Sequence, residues 1–213
     1  MKTDELISML STNVEPIDRS MIARTVGIAV VAAAAAAVML ILGGLGLRAD
    51  LSTGRAFLFL ALKFAFAIAV VGIASVYLAR LARPGGERRI SLLAIAAPFI
   101  AIGFLAATSL GLAPIERWNR MIAGDDWLEC LLSIPVIAIV PFAIIIFAVR
   151  RTAPTDLVRT GAFAGLMAGS VSALAYALHC SDDSLPFVAV WYAGTIILCT
   201  LAGAALGPRL LRW

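Results

Sequence analysis

From Thr25 to Leu47 the chain reads TVGIAVVAAAAAAVMLILGGLGL, without one charged side chain. A hydrocarbon layer about 30 Å thick is crossed by about 20 residues of helix, so a run of this length limits the fold more than any other feature. Five similar runs follow at residues 56–79, 90–112, 131–149, 160–177 and 187–206, and Lys63 is the one charge inside them. Lipid offers the backbone no hydrogen-bond partners, so each run must close its own bonds as a helix. Composition agrees: 62% of residues are hydrophobic and 14% charged, against about half and a quarter in soluble domains. The first run is as long as a full span and has no small-residue cleavage site, so it reads as a helix and not as a signal peptide. The chain is expected to be an all-α integral membrane protein, a six-transmembrane-helix bundle. Residues 1–20 form a separate N-terminal segment and 21–213 the transmembrane domain.

Six spans put both termini on one side, and the basic residues say which. Twelve Lys and Arg flank the spans on the face shared by the termini, among them Arg24, Arg88 and Arg150. The other face carries four, Arg48, Arg55, Arg117 and Arg120. The positive-inside rule makes the first face cytoplasmic, with both termini inside. The net charge of +4 then reports topology, and nothing points to direct nucleic-acid binding. Trp118, Trp127, Trp191 and Tyr192 fall near the outer interface and Trp213 near the inner one, as amphipathic rings should.

One outer loop is chemically dense. YALHCSDDSLP, residues 176–186, holds the only histidine, His179, beside Cys180, with Asp182 and Asp183 directly after. Cys130 closes the preceding outer loop, GLAPIERWNRMIAGDDWLEC. Spans four and five are joined by a short turn, Arg150–Arg159, and so should pack as an antiparallel hairpin. Cys130 and Cys180 lie almost equally far from that turn along the chain, each about 30 Å away at 1.5 Å rise per residue. Two thiols at one depth outside the membrane admit three readings. They form a disulfide, as an oxidising compartment favours; they sense a soft metal or an oxidant, with His179 as a candidate third ligand; or they coincide. A reversible disulfide is itself a sensor. The acid pair could add hard oxygen ligands but reads more simply as a solvated loop, and Cys199, mid-span in IILCTLAG, as a small packing residue.

Lys63 lies inside the second span with no acid in any span to pair with it. Such a charge costs about 3 kcal/mol on insertion scales and marks a functional site, a snorkelling side chain, or one hydrogen-bonded to Ser and Thr of neighbouring helices. Pro98, Pro135 and Pro141 are expected to kink spans three and four. Gly and Ala abound in spans one, five and six, which permits close helix approach. No phosphate loop, nucleophile elbow, metalloprotease helix or intramembrane carboxylate pair is present, so the chain does not read as an enzyme. A small transporter or metal exporter, hinted at by Lys63 and the prolines, and a membrane thiol oxidoreductase, hinted at by the outer cysteines, are the alternative readings.

The N-terminal MKTDELISMLSTNVEPID is too polar to enter lipid. Thr3 can cap a helix whose first turn holds Asp4 and Glu5. Leu6, Ile7, Leu10 and Val14 recur at helical spacing, and Pro16 ends the segment. The result is a short amphipathic helix with an acidic polar side, unlike the basic helices that lie on anionic membranes. It is marginal alone, and either docks its apolar stripe on a partner that orders it or stays a solvated tail.

The opening MKTDELISML, the second-span LKF, the cysteines in WLECLLSIP and ALHCSDDS, the following FVAVWY and the ending LGPRLLRW resemble, in order and spacing, the NrsF family of six-helix bacterial anti-sigma factors. The resemblance implies an extracytoplasmic-function sigma factor held at the inner membrane by the cytoplasmic N-terminal segment, with Leu6, Ile7 and Leu10 in the binding face. It implies Cys130 and Cys180 as periplasmic sensing positions for heavy-metal or oxidative stress, accompanied by His179 and Lys63. It implies no obligatory cofactor beyond a transient soft metal ion at the cysteine pair.

Overall fold

The computed structural model describes residues 19–50, 53–82, 91–152 and 154–212, together with Thr3 and Ser8, which are helical. Leu6, Ile7, Leu10, Val14 and Trp213 lie outside the described residues. The described chain is helical, with no strand among its residues. Six helices are long and apolar enough to cross a membrane. They are α1 (Arg19–Gly44), α2 (Gly54–Leu81), α3 (Leu92–Gly111), α5 (Trp127–Arg150), α6 (Leu157–Tyr176) and α7 (Leu185–Leu210). A short helix, α4 (Trp118–Ala123), entered through a 3-10 turn at Ile115–Arg117, lies between α3 and α5. The sequence had left this stretch as loop.

The spans come where the apolar runs place them, with ends set by local chemistry. α1 stops at Gly44 because Gly46 adopts φ 79° and the Leu45 and Gly46 amides both turn back to the Ile41 carbonyl, a left-handed helix stop. α3 opens on Ser91, whose hydroxyl accepts from the Ala94 amide, and α6 opens on Asp156, which accepts from Arg159 N at 2.9 Å. α5 starts at Trp127, four residues before the expected boundary, with Cys130 of its first turn buried. Pro98, Pro135 and Pro141 sit within unbroken helices.

α6 is the centre of the bundle. In its most apolar window 72% of residues are buried, against 11% for α3. It packs against α1, α2, α5 and, most extensively, α7. The expected α5–α6 hairpin is present, but the closer partnership is α6 with α7. Gly161 and Gly165 of α6 meet Gly203, Gly207 and Cys199 of α7 backbone to backbone, and Gly169 meets the Cys199 side chain. A Cβ on Gly203 would strike the Gly161 carbonyl and stand 2.9 Å from the Gly165 Cα. The fifth run is short and moderate in hydropathy because small residues are needed there. Facing away from the centre, Val31, Phe57, Ile100, Phe104, Val136 and Leu201 are all more than half exposed. Apolar surface on that scale suits lipid and not water.

Candidate functional site

The end of the bundle where α1, α3 and α6 finish and α2, α5 and α7 begin gathers the chain's unusual chemistry. The turn after α1 brings Arg48 beneath the α6–α7 loop, where its amide donates to the Leu178 carbonyl at 3.0 Å. Its guanidinium, with a side chain 1% exposed, makes a two-pronged contact with Asp50 at 2.6 and 2.7 Å and another with Asp183 at 2.9 and 2.8 Å. Its Nη1 also donates to the Cys180 carbonyl at 3.1 Å. A planar fork is suited to binding two carboxylates in this way.

Lys63 of α2 comes to the same point from below. It is fully buried, and Nζ donates to the Cys180 carbonyl at 3.2 Å and to the Cys180 sulfur at 3.8 Å. It stands 3.5 Å from Asp183 Oδ1 and 5.6 Å from the centre of the Tyr192 ring. The structure thus corrects two sequence expectations. Lys63 does have an acid partner, supplied by a loop instead of a span, and it reaches inward instead of snorkelling to the surface. Asp183, expected in a solvated loop, has a side chain only 12% exposed. Two cations and two carboxylates make the cluster formally neutral, which is how buried charges are tolerated.

Asp182, its neighbour, faces the opposite way. Its carboxylate accepts from the amides of Asp125 and Asp126 at 3.4 and 3.0 Å, tying the loop to the start of α5. The Ser184 hydroxyl donates to the Met121 carbonyl of α4 and caps α7 by accepting from Phe187 N. Trp191 Nε1 donates to the Ile122 carbonyl at 2.8 Å, so α4 is held by side chains from α7. The segment 178–184 therefore links α1 and α2 on one side to α4 and α5 on the other.

Cys130 and Cys180 are buried free thiols beside this link. Burial pushes the Cys180 thiol up, and Lys63 opposes that shift. The Asp50 carboxyl lies below its ordinary value because Arg48 hydrogen-bonds its charged form. His179 is not drawn into a cluster with the thiols. Its Nδ1 lies 3.1 Å from the Gly46 carbonyl, and no group of three or more His, Cys, Asp or Glu able to hold a metal ion occurs among the described residues. Among the described residues the buried Tyr176 hydroxyl has no hydrogen-bond partner, and the Tyr192 hydroxyl has none but the Cys180 thiol. Tyr192 lies beside Cys180 at the end of a π-helical turn, Val188–Tyr192. Such turns shift side chains out of register and recur at functional sites. Cys199 is where the sequence put it, packed against Gly169 in the α6–α7 seam.

The sequence singled out Cys130, Cys180 and Lys63, and the structure places all three at one end of the bundle. It missed Arg48, counted only as a loop charge, and the roles of Asp50, Asp183 and Tyr192. Arg48 and Asp183 are separated by 135 positions, and no local signal announces their meeting.

Fold and site together define a polytopic helical membrane protein built around buried ion pairs and thiols. The chain belongs to the NrsF family, described as negative regulator of sigma F, whose model matches residues 10–213. Anti-sigma-F factor NrsF of Caulobacter vibrioides is 33% identical over 225 residues, and the probable anti-sigma-F factor NrsF of Azospira oryzae 31% over 214, each covering 100% of both chains. The family is regulatory and not catalytic. No solved structure matches the chain.

Proposed function

We propose that this protein is an anti-sigma factor that holds an extracytoplasmic-function sigma factor at the bacterial inner membrane. The N-terminal segment, through Leu6, Ile7, Leu10 and Val14, is the cytoplasmic anchor, and release follows when Cys130 and Cys180 engage a soft metal or an oxidant in the periplasm. Full-length similarity to two anti-sigma-F factors carries the reading. The basic-residue asymmetry supports termini on the cytoplasmic side. The two buried thiols at the opposite end of the bundle support a sensing role there. A soft ion bound between them would draw α5 and the α6–α7 loop together. Shifting a bound population from 99:1 to 1:99 needs about 5.5 kcal/mol of differential binding, within the range of two thiolate bonds.

The test is a pull-down of the native protein in mild detergent from its host, beside a Leu6→Asp/Leu10→Asp variant. A sigma factor recovered with the first and missing from the second is the expected result. In the Cys130→Ser/Cys180→Ser variant, retention should persist and release by metal should vanish. Recovery of no sigma factor with the native protein in unstressed cells would sink the reading.

A further inference from the structure

Cys180 is fixed by its own carbonyl, which accepts from both Lys63 Nζ and Arg48 Nη1. The same two cations meet again on Asp183, three residues on. We propose that Asp183 is a latch: gripped by Arg48 and Lys63, it clamps the Cys180 loop onto α1 and α2, and a thiophilic cation arriving at the Cys180 sulfur opens it. This rests on the function proposed above and supplies its missing link from thiol to N-terminus.

Three observations carry it. First, the latch and the thiol share one cation. Lys63 Nζ donates to the Cys180 sulfur at 3.8 Å and stands 3.5 Å from Asp183 Oδ1. A cation on that sulfur displaces or repels the ammonium, and Asp183 then loses one of its two partners. Second, the latch is connected to the anchor. Arg48 follows α1 after a three-residue turn pinned at Ile41, and its amide is bonded to Leu178. α1 runs 26 residues from there to Arg19, a rod of about 39 Å that leads into the N-terminal segment. Third, the cluster is closed. Arg48 and Lys63 are buried, and among the described residues their acid partners are Asp50 and Asp183. Asp50 sits in the same turn as Arg48, so Asp183 alone carries the carboxylate link across to the Cys180 loop. A neutral, fully paired cluster has two discrete states, closed or broken, as a switch element requires.

The experiment uses the full chain in native membranes with its sigma factor co-expressed, and cadmium ions as probe. Membrane-retained sigma factor is measured in native protein, Asp183→Asn, Asp183→Glu and Arg48→Lys, with thermal stability recorded for each. Asp183→Asn should free sigma factor without cadmium, on the order of tenfold above native, and respond little to added metal. Asp183→Glu should restore part of the retention. Arg48→Lys keeps the charge but loses the fork, and should lie between. Ile145→Ala, a core cavity elsewhere in α5, should lower stability and leave retention intact, separating coupling from general loosening. Native-like retention and cadmium response in Asp183→Asn overturn the latch. If that variant does not fold, native behaviour of Arg48→Lys does so instead. Native protein that retains no sigma factor overturns the proposed function, and the latch with it.

Discussion

The two faces of the α6–α7 pair are held by opposite means. Along the seam, Gly161, Gly165, Gly203 and Gly207 bring backbones into contact with no charged group. At the loop joining the same two helices, Asp182, Asp183 and Ser184 hold four other elements through hydrogen bonds and ion pairs. The seam depends on the absence of side chains and has one good packing. The loop depends on charges that can be paired or unpaired at modest displacement. Rigidity therefore lies in the middle of the bundle, and the capacity to change lies at the end that carries the thiols. Close-packed interiors transmit a shift without absorbing it, so a fixed α6 suits a protein whose ends must communicate.

The largest effect should come from breaking the seam. Gly203→Leu forces a branched side chain into the Gly161 and Gly165 backbone and should cost about 3 kcal/mol or more, seen as loss of folded protein on size-exclusion chromatography. Gly72→Leu, with open space around it, should change stability by no more than about 0.5 kcal/mol. An equal effect at both positions would refute the seam as the rigid element.

A middle-sized effect is expected at Gly124, where the two regimes meet. It has φ 63°, and a Cβ there would lie 2.5 Å from Asp182 Oδ2 and 2.7 Å from Phe187. Gly124→Ala should cost about 1–3 kcal/mol in thermal unfolding, from left-handed backbone plus the displaced Asp182. Native-like stability would mean that the Asp182 contacts to α5 are not required.

The smallest effect belongs to Asp50, half-exposed beside Arg48. Its folded-state carboxyl lies below its ordinary value. The stability it contributes is thus present above the ordinary carboxylate range and lost as pH falls through the depressed value. Melting curves at neutral and acid pH should show a slightly larger acid-induced loss for the native protein than for Asp50→Asn. Identical losses would show that Arg48 is held by Asp183 alone.

Much of the architecture was legible in the chain. Six uncharged runs determined six helices because lipid leaves a backbone no alternative. Thiol positions in loops on one face determined that Cys130 and Cys180 share an end. The small residues of GAFAGLMAG and GAALG announced close approach, though not which helix would be approached. What the sequence did not determine was the partner of any charge. Lys63 had no acid within its reach along the chain, and Arg48 and Asp183 belong to loops that folding alone brings together. Which side chains pair there depends on the distance between helix ends after α6 and α7 have locked. That distance is set by packing across the whole bundle, and only the tertiary structure decides it.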